Sequence, residues 1–279
     1  MPLNVDLINA GSILINGSPI LDLYETGSGL CSTQRIGVNN EANGDCSVIS
    51  GGEKNTIGTF SSYCSCPIYG SSIGGGSCNT ISSYSAYYES YGNTIAGGTC
   101  NVTVSSYYNG QTIGGGARNT TNGNYSTVGG GQQNTSSGNH STVSGGYYNT
   151  TNGNYSTVNG GYLNIASCVY STVGGGFFNT SIGNLSTISG GYCNTTNGYS
   201  SNISGGYRNT SINGFSAILG GRDNTTQNDC SFIVGANIST DRVCTTFVNN
   251  LSIKNIPTSS AGLPSGSVWR NGTVLEIVP

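Results

Sequence analysis

Hydrophobic residues recur along this chain at one fixed interval. Eight valines and isoleucines stand fifteen residues apart, each within a variant of Ser-Thr-Val-x-Gly-Gly-x-x-Asn-Thr. They are Val128, Val143, Val158, Val173, Ile188, Ile203, Ile218 and Ile233. A short fixed period is typical of stacked structural repeats, none of which can bury its apolar side alone. The pattern therefore predicts a β-solenoid in which these residues form a core ladder along the axis.

The residues of one repeat predict two short strands and two corners. Ser126 and Val128 fall on one face of an extended segment and Thr127 on the other. Glycine follows two positions after the valine, usually as a pair, and marks a sharp corner. Asparagine follows six positions after the valine, and we expect these asparagines to hydrogen-bond along the stack and to tolerate a left-handed turn. Asn122-Gly123-Asn124 and its equivalents predict the second corner.

The same pattern continues towards the N-terminus with longer intervals. Ile113, Ile95, Ile73 and Ile49 each begin a similar run, and they are separated by 18, 22 and 24 residues. The extra residues must leave the coil as loops at one corner. We therefore predict an all-β, parallel β-roll or β-solenoid of about 12–13 coils over residues 36–240. Residues 36–112 form irregular coils with loops, and residues 113–240 form regular coils.

Both ends of the chain differ from the repeats. Residues 1–35 contain Asn16-Gly17 between two apolar runs, and residues 241–279 contain Asn271-Gly272 in the same setting. Asn-Gly between apolar runs is a strong signal of a β-hairpin. An uncovered terminal coil would expose a strand edge that recruits other chains. We therefore predict that both segments are β-hairpin caps or docking segments.

Composition excludes several classes of partner. Hydrophobic residues make up 34% and charged residues 7% of the chain, and the net charge is -3 with eight lysines and arginines. So few cations leave no basic stripe for phosphates, which argues against nucleic acid and anionic membranes. Eighteen consecutive apolar residues occur nowhere, so we expect no membrane insertion. The first basic residue is Arg35, and we expect no secretory signal peptide.

Ten cysteines and a single histidine favour disulfides or buried thiols over a metal site. We therefore predict neither a bound metal nor a cofactor. Cys78 and Cys100 occupy the same position in neighbouring repeats, where stacked strands bring Cα atoms within about 5 Å. We predict a disulfide between these two residues in an oxidising environment.

The regular repeats resemble a known family. Tyr125-Ser-Thr-Val-Gly-Gly-Gly-Gln-Gln-Asn134 and Tyr155-Ser-Thr-Val-Asn-Gly-Gly-Tyr-Leu-Asn164 resemble the head repeats of trimeric autotransporter adhesins of the YadA type. Similar repeats occur in fibre proteins of phages and large viruses. The resemblance covers residues 36–240 and implies a left-handed parallel β-roll, three of which pack side by side into a trimer that binds host surfaces.

The chain departs from the cell-anchored form of that family. We identify no heptad stalk, outer-membrane barrel or signal peptide beside the repeats. The tail at residues 255–278 resembles the closing segment of phage structural proteins. These two features favour a virion surface appendage or another extracellular location.

Aromatic residues recur at fixed positions and are candidates for a contact surface. Four positions after the valine or isoleucine stand Tyr147, Tyr162, Phe177, Tyr192 and Tyr207. Stacked rings can bind glycan faces, but rings at one position of a repeat more often pack in an interface. The neighbouring residues Tyr148, Leu163 and Phe178 are further candidates for a seam between chains. A second ladder comprises Tyr125, Tyr155, Tyr170, Leu185 and Phe215.

The residue types in this chain give little support for a catalytic function. His140 occupies a position held by tyrosine in other repeats, so we interpret it as one more ladder residue. No aspartate or glutamate occurs between Glu89 and Asp223, which removes carboxylate-pair hydrolysis from the regular coils. We predict no catalytic residues and no enzymatic activity. Several Asn-x-Ser/Thr triplets, including Asn119, Asn134, Asn149, Asn194 and Asn224, follow from the repeat and leave glycosylation open.

The sequence therefore favours a non-enzymatic structural fibre protein of a phage or virus, a trimeric β-roll used in host attachment. Its partners would be copies of itself and a receptor or glycan on the host surface. The alternative is a subunit of a self-assembling extracellular filament or a bacterial surface adhesin. An ice-binding solenoid is a weaker hypothesis, because bulky tyrosines flank its threonine ladder.

Overall fold

The computed structural model describes residues 5–8, 12–15, 18–19, 24–28, 31–35, 39–59, 68–83, 89–105, 110–252, 255–271 and 273–278. These residues form strands and turns without a helix, stacked into about thirteen coils of a parallel β-solenoid. The predicted fold class is confirmed. The chain divides into two compact units, Met1–Phe247 and Val248–Pro279.

The N-terminal strands form a small antiparallel sheet. Its members are β1 (Val5–Ile8), β2 (Ser12–Ile15) and β3 (Ser18–Pro19). Ile15 pairs with Ser18 on either side of Asn16 and Gly17, which themselves lie outside the described residues. The flanking strands thus pair as the predicted hairpin requires.

Two long sheets build the solenoid, and twelve coils each contribute one strand to both of them, while the first sheet has three further strands at its ends. The first sheet has fifteen strands: β4 (Tyr24–Thr26), β5 (Thr33–Arg35), β7 (Val48–Ile49), β10 (Ser72–Ile73), β13 (Thr94–Ile95), β15 (Thr112–Ile113), β17 (Thr127–Val128), β19 (Thr142–Val143), β21 (Thr157–Val158), β23 (Thr172–Val173), β25 (Thr187–Ile188), β27 (Asn202–Ile203), β29 (Ala217–Ile218), β31 (Phe232–Val234) and β32 (Thr246–Val248). The second sheet has twelve: β6 (Glu41–Ala42), β8 (Thr56–Thr59), β11 (Thr80–Ser83), β14 (Val102–Ser105), β16 (Thr120–Thr121), β18 (Thr135–Ser136), β20 (Thr150–Thr151), β22 (Ile165–Ala166), β24 (Thr180–Ser181), β26 (Thr195–Thr196), β28 (Thr210–Ser211) and β30 (Thr225–Thr226).

The remaining strands lie outside these two sheets. β9 (Ile68–Tyr69) and β12 (Ser90–Tyr91) form a short parallel pair at the irregular end. β33 (Val268–Asn271) and β34 (Val274–Ile277) form an antiparallel hairpin in the second unit, with Asn271 opposite Val274. The predicted C-terminal segment begins at residue 241, whereas β32 still belongs to the first sheet.

Equivalent residues of neighbouring coils pair with each other, so the repeat of the sequence sets the register of the strands. Val128 pairs with Val143, and Ile73 pairs with Ile95 even though 22 residues separate them. The longer intervals of the irregular coils therefore do not shift the register, and residues 60–67, 84–88 and 106–109, where loops are predicted, lie outside the described residues. All eight residues of the core ladder are completely buried, and burial of each contributes about 1.5–3 kcal/mol.

A column of buried asparagines runs beside the apolar core. In one coil, Asn164 accepts a hydrogen bond from the backbone N–H of Asn179 at 3.0 Å. Its side-chain amide donates to the carbonyl oxygens of Gly160 and Gly176, each at 2.9 Å. The residue Asn164 thus joins three coils, because its own backbone N–H donates to the side chain of Asn149 in the preceding coil.

The left-handed residues of each coil are only partly the ones that the sequence indicates. We expected them at the glycines and asparagines, and the second glycine of the first corner does have a positive φ, as at Gly131 and Gly146. The buried asparagines do not have this conformation, whereas the residue before each of them has it, and so does the third residue before each Val or Ile. Over the regular coils their φ values lie between 50° and 58° at Tyr125, Gln133, His140, Tyr148, Tyr155, Leu163, Tyr170, Phe178, Leu185, Cys193, Ser200, Arg208, Phe215, Asp223 and Cys230. Bulky residues seldom adopt such values, so the hydrogen bonds between coils must hold them there.

Buried hydroxyl groups line the rest of the interior and are satisfied unevenly. Thr151 donates to Ser136 or Ser141, each at 3.1 Å, and those two serines bond to each other at 2.7 Å. The hydroxyl of Thr121, at the equivalent position two coils earlier, has no hydrogen-bond partner among the described residues.

We therefore predict opposite changes in stability when Thr121 and Thr151 are replaced by valine. Thr121→Val removes an unsatisfied buried hydroxyl, so we expect it to stabilise the protein by about 1 kcal/mol. Thr151→Val removes a hydrogen bond and should destabilise it by about 1 kcal/mol. Denaturation midpoints of both variants, measured by circular dichroism, test this. Equal shifts in the same direction would contradict it.

Candidate interaction surface

Five aromatic residues form one continuous stack at the first corner of the coil, which leads from the first sheet to the second. We call Tyr147, Tyr162, Phe177, Tyr192 and Tyr207 the first aromatic column. Neighbouring ring centroids lie 4.9–5.3 Å apart. Parallel bridges join the backbones of successive members, so the stacking of the rings follows from the register of the coils.

Further rings widen this column. The ring centroid of Tyr148 lies 4.4 Å from that of Tyr147 and 6.5 Å from that of Tyr162, which it meets edge-on. The ring centroids of Phe178 and Phe177 are 4.6 Å apart. Burial among these rings is the main cause that raises the pKa of Tyr147 above its ordinary value, and the Tyr148 hydroxyl adds to it. The result is an aromatic band in which the hydroxyl of Tyr147 stays neutral.

The band still faces outwards. Tyr192 and Tyr207 are 41% and 44% exposed, and Phe178 is 44% exposed. Beyond its end lies an exposed ion pair between Arg208 and Asp223, whose nitrogen and oxygen are 3.5 Å apart. Contiguous exposed aromatic surface of this kind is typical of interaction sites.

A second stack lies at the second corner, which leads back from the second sheet to the first. We call Tyr125, His140, Tyr155 and Tyr170 the second aromatic column. Their ring centroids are 4.9–5.0 Å apart with interplanar angles of 15° or less. The structure thus places His140 between two tyrosines as one more ladder residue, in agreement with the sequence. Leu185 and Phe215 occupy the same position in later coils and are exposed.

A ladder of exposed asparagines supports the second column. The backbone N–H of Asn124 donates to the side chain of Asn139 at 3.0 Å, and that of Asn139 donates to Asn154 at 2.9 Å. The N–H of His140 also donates to the carbonyl of Asn124. These bonds fix the left-handed residues that carry the rings. The sequence marks the aromatic repeat but not this conformation.

The two aromatic columns lie on opposite edges of the flattened coil, because the first corner joins the first sheet to the second and the second corner joins the second sheet to the next coil. They overlap over the coils that begin at Val143 and Val158, which carry Tyr147 with Tyr155 and Tyr162 with Tyr170. One chain therefore presents two different aromatic edges.

Other candidate residues lie elsewhere. Cys78 and Cys100 occupy the same position in adjacent coils and are free thiols in the structure, so their disulfide stays a prediction. The candidate glycosylation sites are completely buried, and their side-chain amides donate to glycine carbonyls, as at Asn134 and Asn149. The folded chain does not present these amides to a modifying enzyme.

Within the described part of the chain, no three His, Cys, Asp or Glu side chains come together in a way that could hold a metal ion. The same residues include no helix with the length and hydropathy that crossing a membrane requires. Neither a scan against protein-family models nor a search of curated proteins finds a match to this chain.

Proposed function

We propose that this protein is a non-enzymatic structural fibre of a phage or virus, which assembles as a homotrimer and serves in host attachment. The observation that carries the proposal is the presence of two exposed aromatic columns on opposite edges of one repetitive solenoid. The resemblance to adhesin head repeats supports the attachment role and the location on a virion surface or outside the cell.

Ring symmetry explains why two different columns are useful. In a three-fold ring, each copy contacts its neighbours through two unlike surfaces, one for each side. A chain with one aromatic edge could satisfy only one of the two. Here Tyr162 and Phe177 on one edge and Tyr155 and Tyr170 on the other are available to pack together.

The composition of the columns also suits a contact between proteins. Aromatic residues are enriched at interfaces, since they bury a large apolar area at low cost in side-chain entropy. The rings are already ordered by stacking, so association would order few additional groups. The hydroxyls of the tyrosines in both columns can bond to water or to a neighbouring chain.

Sedimentation equilibrium of the full chain tests the assembly. We expect a discrete trimer that dissociates when the three central rings of the first column are removed by Tyr162→Asn, Phe177→Asn and Tyr192→Asn together. The matched control is Ser144→Asn with Ser189→Asn, because Asn159 already occupies that exposed position in one of the two coils between them. The control should remain trimeric, and circular dichroism should show that both variants keep their strands.

Two outcomes would contradict the proposal. If the wild-type chain stays monomeric at high concentration, the proposed trimer is contradicted. Open-ended polymers seen by electron microscopy would favour the extracellular filament instead. The attachment role is tested separately by antibody labelling of native particles, where we expect the label on projecting fibres, and label confined to the particle interior would exclude it.

A further inference from the structure

Six of the eight described cysteines occur as pairs at the same position of neighbouring coils. The pairs are Cys31 with Cys46, Cys78 with Cys100, and Cys230 with Cys244. All six residues are left-handed, with φ between 52° and 57°. The first pair lies in the first coils of the stack and the third pair in the last coils.

The C-terminal pair is aligned by hydrogen bonds between coils. The N–H of Phe232 donates to the carbonyl of Thr245 at 3.0 Å, and the N–H of Cys244 donates to the carbonyl of Asp229 at 3.1 Å. This places Cys230 and Cys244 at the position of the second aromatic column, where successive side chains lie about 5 Å apart. A hydrogen bond with the Cys244 thiol, followed by burial, raises the pKa of Cys230.

The N-terminal pair has the same relation. Thr33 pairs with Val48 in parallel register, so Cys31 and Cys46, each two residues earlier, stand side by side. Both cysteines are exposed, as is Cys244, whereas Cys230 is half-buried. At least one thiol of each pair is therefore open to a small oxidant.

We propose that Cys31–Cys46 and Cys230–Cys244 are redox-active pairs that close into disulfides and clamp the two ends of the solenoid. Adjacent strands hold Cα atoms about 4.8 Å apart, within the range of about 4.4–6.8 Å that a disulfide bridges. A side-chain rotation with a small backbone shift brings the sulfurs to bonding distance. The inference does not depend on the proposed function.

The oxidant is a low-molecular-weight disulfide, which reacts by exchange. One protein thiolate attacks it, forms a mixed disulfide and releases one small thiolate. The second protein thiolate then attacks the sulfur of the first cysteine and releases the other small thiolate. Two cysteine thiols are oxidised to one disulfide, the small disulfide is reduced to two thiols, and the two cysteine protons pass to those thiols.

The ends are where such a link has the greatest effect. A terminal coil has a neighbouring coil on one side only, with just the strand β4 beyond β5 at the N-terminal end, so it opens before the interior coils. Each disulfide would tie a terminal coil to its neighbour and limit the freedom of the opened chain. The coils between the two ends are already held on both sides.

Peptide mapping of the full chain tests the proposal. The reduced protein is exposed to oxidised glutathione at pH about 8.5, where thiolate forms despite the raised pKa of Cys230. Remaining thiols are alkylated, and trypsin then cleaves at Arg35 and Arg242, which lie between the members of the two pairs. We expect linked peptides containing Cys31 with Cys46 and Cys230 with Cys244. Hydrogen exchange at Phe232 should slow by about 100-fold on oxidation.

The matched control is Cys168→Ser with Cys193→Ser, since these cysteines occupy different positions of the coil. The control should keep both linked peptides and the slower exchange, whereas Cys244→Ser should lose the effect on Phe232. Glutathione adducts in place of the two links would overturn the proposal. Links from these cysteines to another copy of the chain, detected by non-reducing electrophoresis, would overturn it as well.

Discussion

Asn164→Asp is expected to destabilise the solenoid by about 4 kcal/mol at neutral pH. One oxygen of the new carboxylate would still accept the hydrogen bond from the backbone N–H of Asn179. Its second oxygen would face the carbonyl oxygens of Gly160 and Gly176, to which the amide of Asn164 donates at 2.9 Å. Two favourable bonds would become two repulsive contacts in a site without solvent access. Chemical denaturation followed by circular dichroism measures the change.

The chain provides a matched control for this substitution. Asn184 is exposed, and its side-chain oxygen accepts a hydrogen bond from the N–H of Val169 at 3.1 Å. Asp229 occupies the equivalent position three coils later and accepts from Gly214 in the same way at 2.9 Å. Asn184→Asp should therefore change the stability by less than about 0.5 kcal/mol.

The pH dependence separates charge from loss of the amide. Burial and the facing carbonyls would raise the pKa of the new carboxyl in the folded state above its value of about 4 in the unfolded chain. The penalty is complete above the folded pKa and decreases as the pH falls towards about 4. Asn164→Leu has no titrating group, so its penalty relative to wild type should not change with pH. If the stability penalties of Asn164→Asp and Asn164→Leu changed equally with pH, the buried charge would not be the cause of the effect.

The fold could be predicted because stacking converts sequence period into register. Val143 lies above Val128 and Ile95 above Ile73, whatever the length of the loop between them. The asparagine column followed from the same argument, since an amide can donate and accept along a stack. The period alone therefore indicated the sheets, the core and the two aromatic columns.

The backbone of the corners could not be predicted in the same way. Sequence rules assign left-handed conformation to glycine and asparagine; the structure has positive φ at glycines such as Gly146 but also at Tyr155 and Leu163, and not at the buried asparagines. The N–H of Tyr155 donates to the carbonyl of Asn139, and that of Leu163 donates to the carbonyl of Tyr147. Bonds to the preceding coil outweigh the local preference of the residue. No single repeat contains that information.

The two glycines of the first corner differ in what they tolerate, and the second of them is expected to be the sensitive one. Gly146 has φ 89°, and a Cβ there would meet the carbonyl oxygen of Gly161 at 2.3 Å and the amide nitrogen of Asn149 at 2.5 Å. Both are fixed, because the amide of Asn149 donates to that carbonyl. Gly146→Ala should therefore destabilise the protein by about 2–4 kcal/mol.

The adjacent residue provides the control. A Cβ on Gly145 would come no closer than 3.9 Å to the oxygen of Gly130, and its φ lies outside the left-handed region. Gly145→Ala should be neutral or stabilising by about 0.5 kcal/mol, because alanine restricts the unfolded chain. Denaturation midpoints of the two variants, compared under the same conditions, measure the difference.

The clash at Gly146 should also reach the candidate interaction surface. The N–H of Tyr147 donates to the carbonyl of Gly161 at 2.9 Å, the same oxygen that a Cβ on Gly146 would displace. Moving that carbonyl would shift Tyr147 relative to Tyr162, whose rings are 5.3 Å apart. Near-ultraviolet circular dichroism of the tyrosines should thus change in Gly146→Ala and not in Gly145→Ala. An unchanged spectrum with lowered stability would mean that the rings are positioned by their own stacking, independently of the glycine corner.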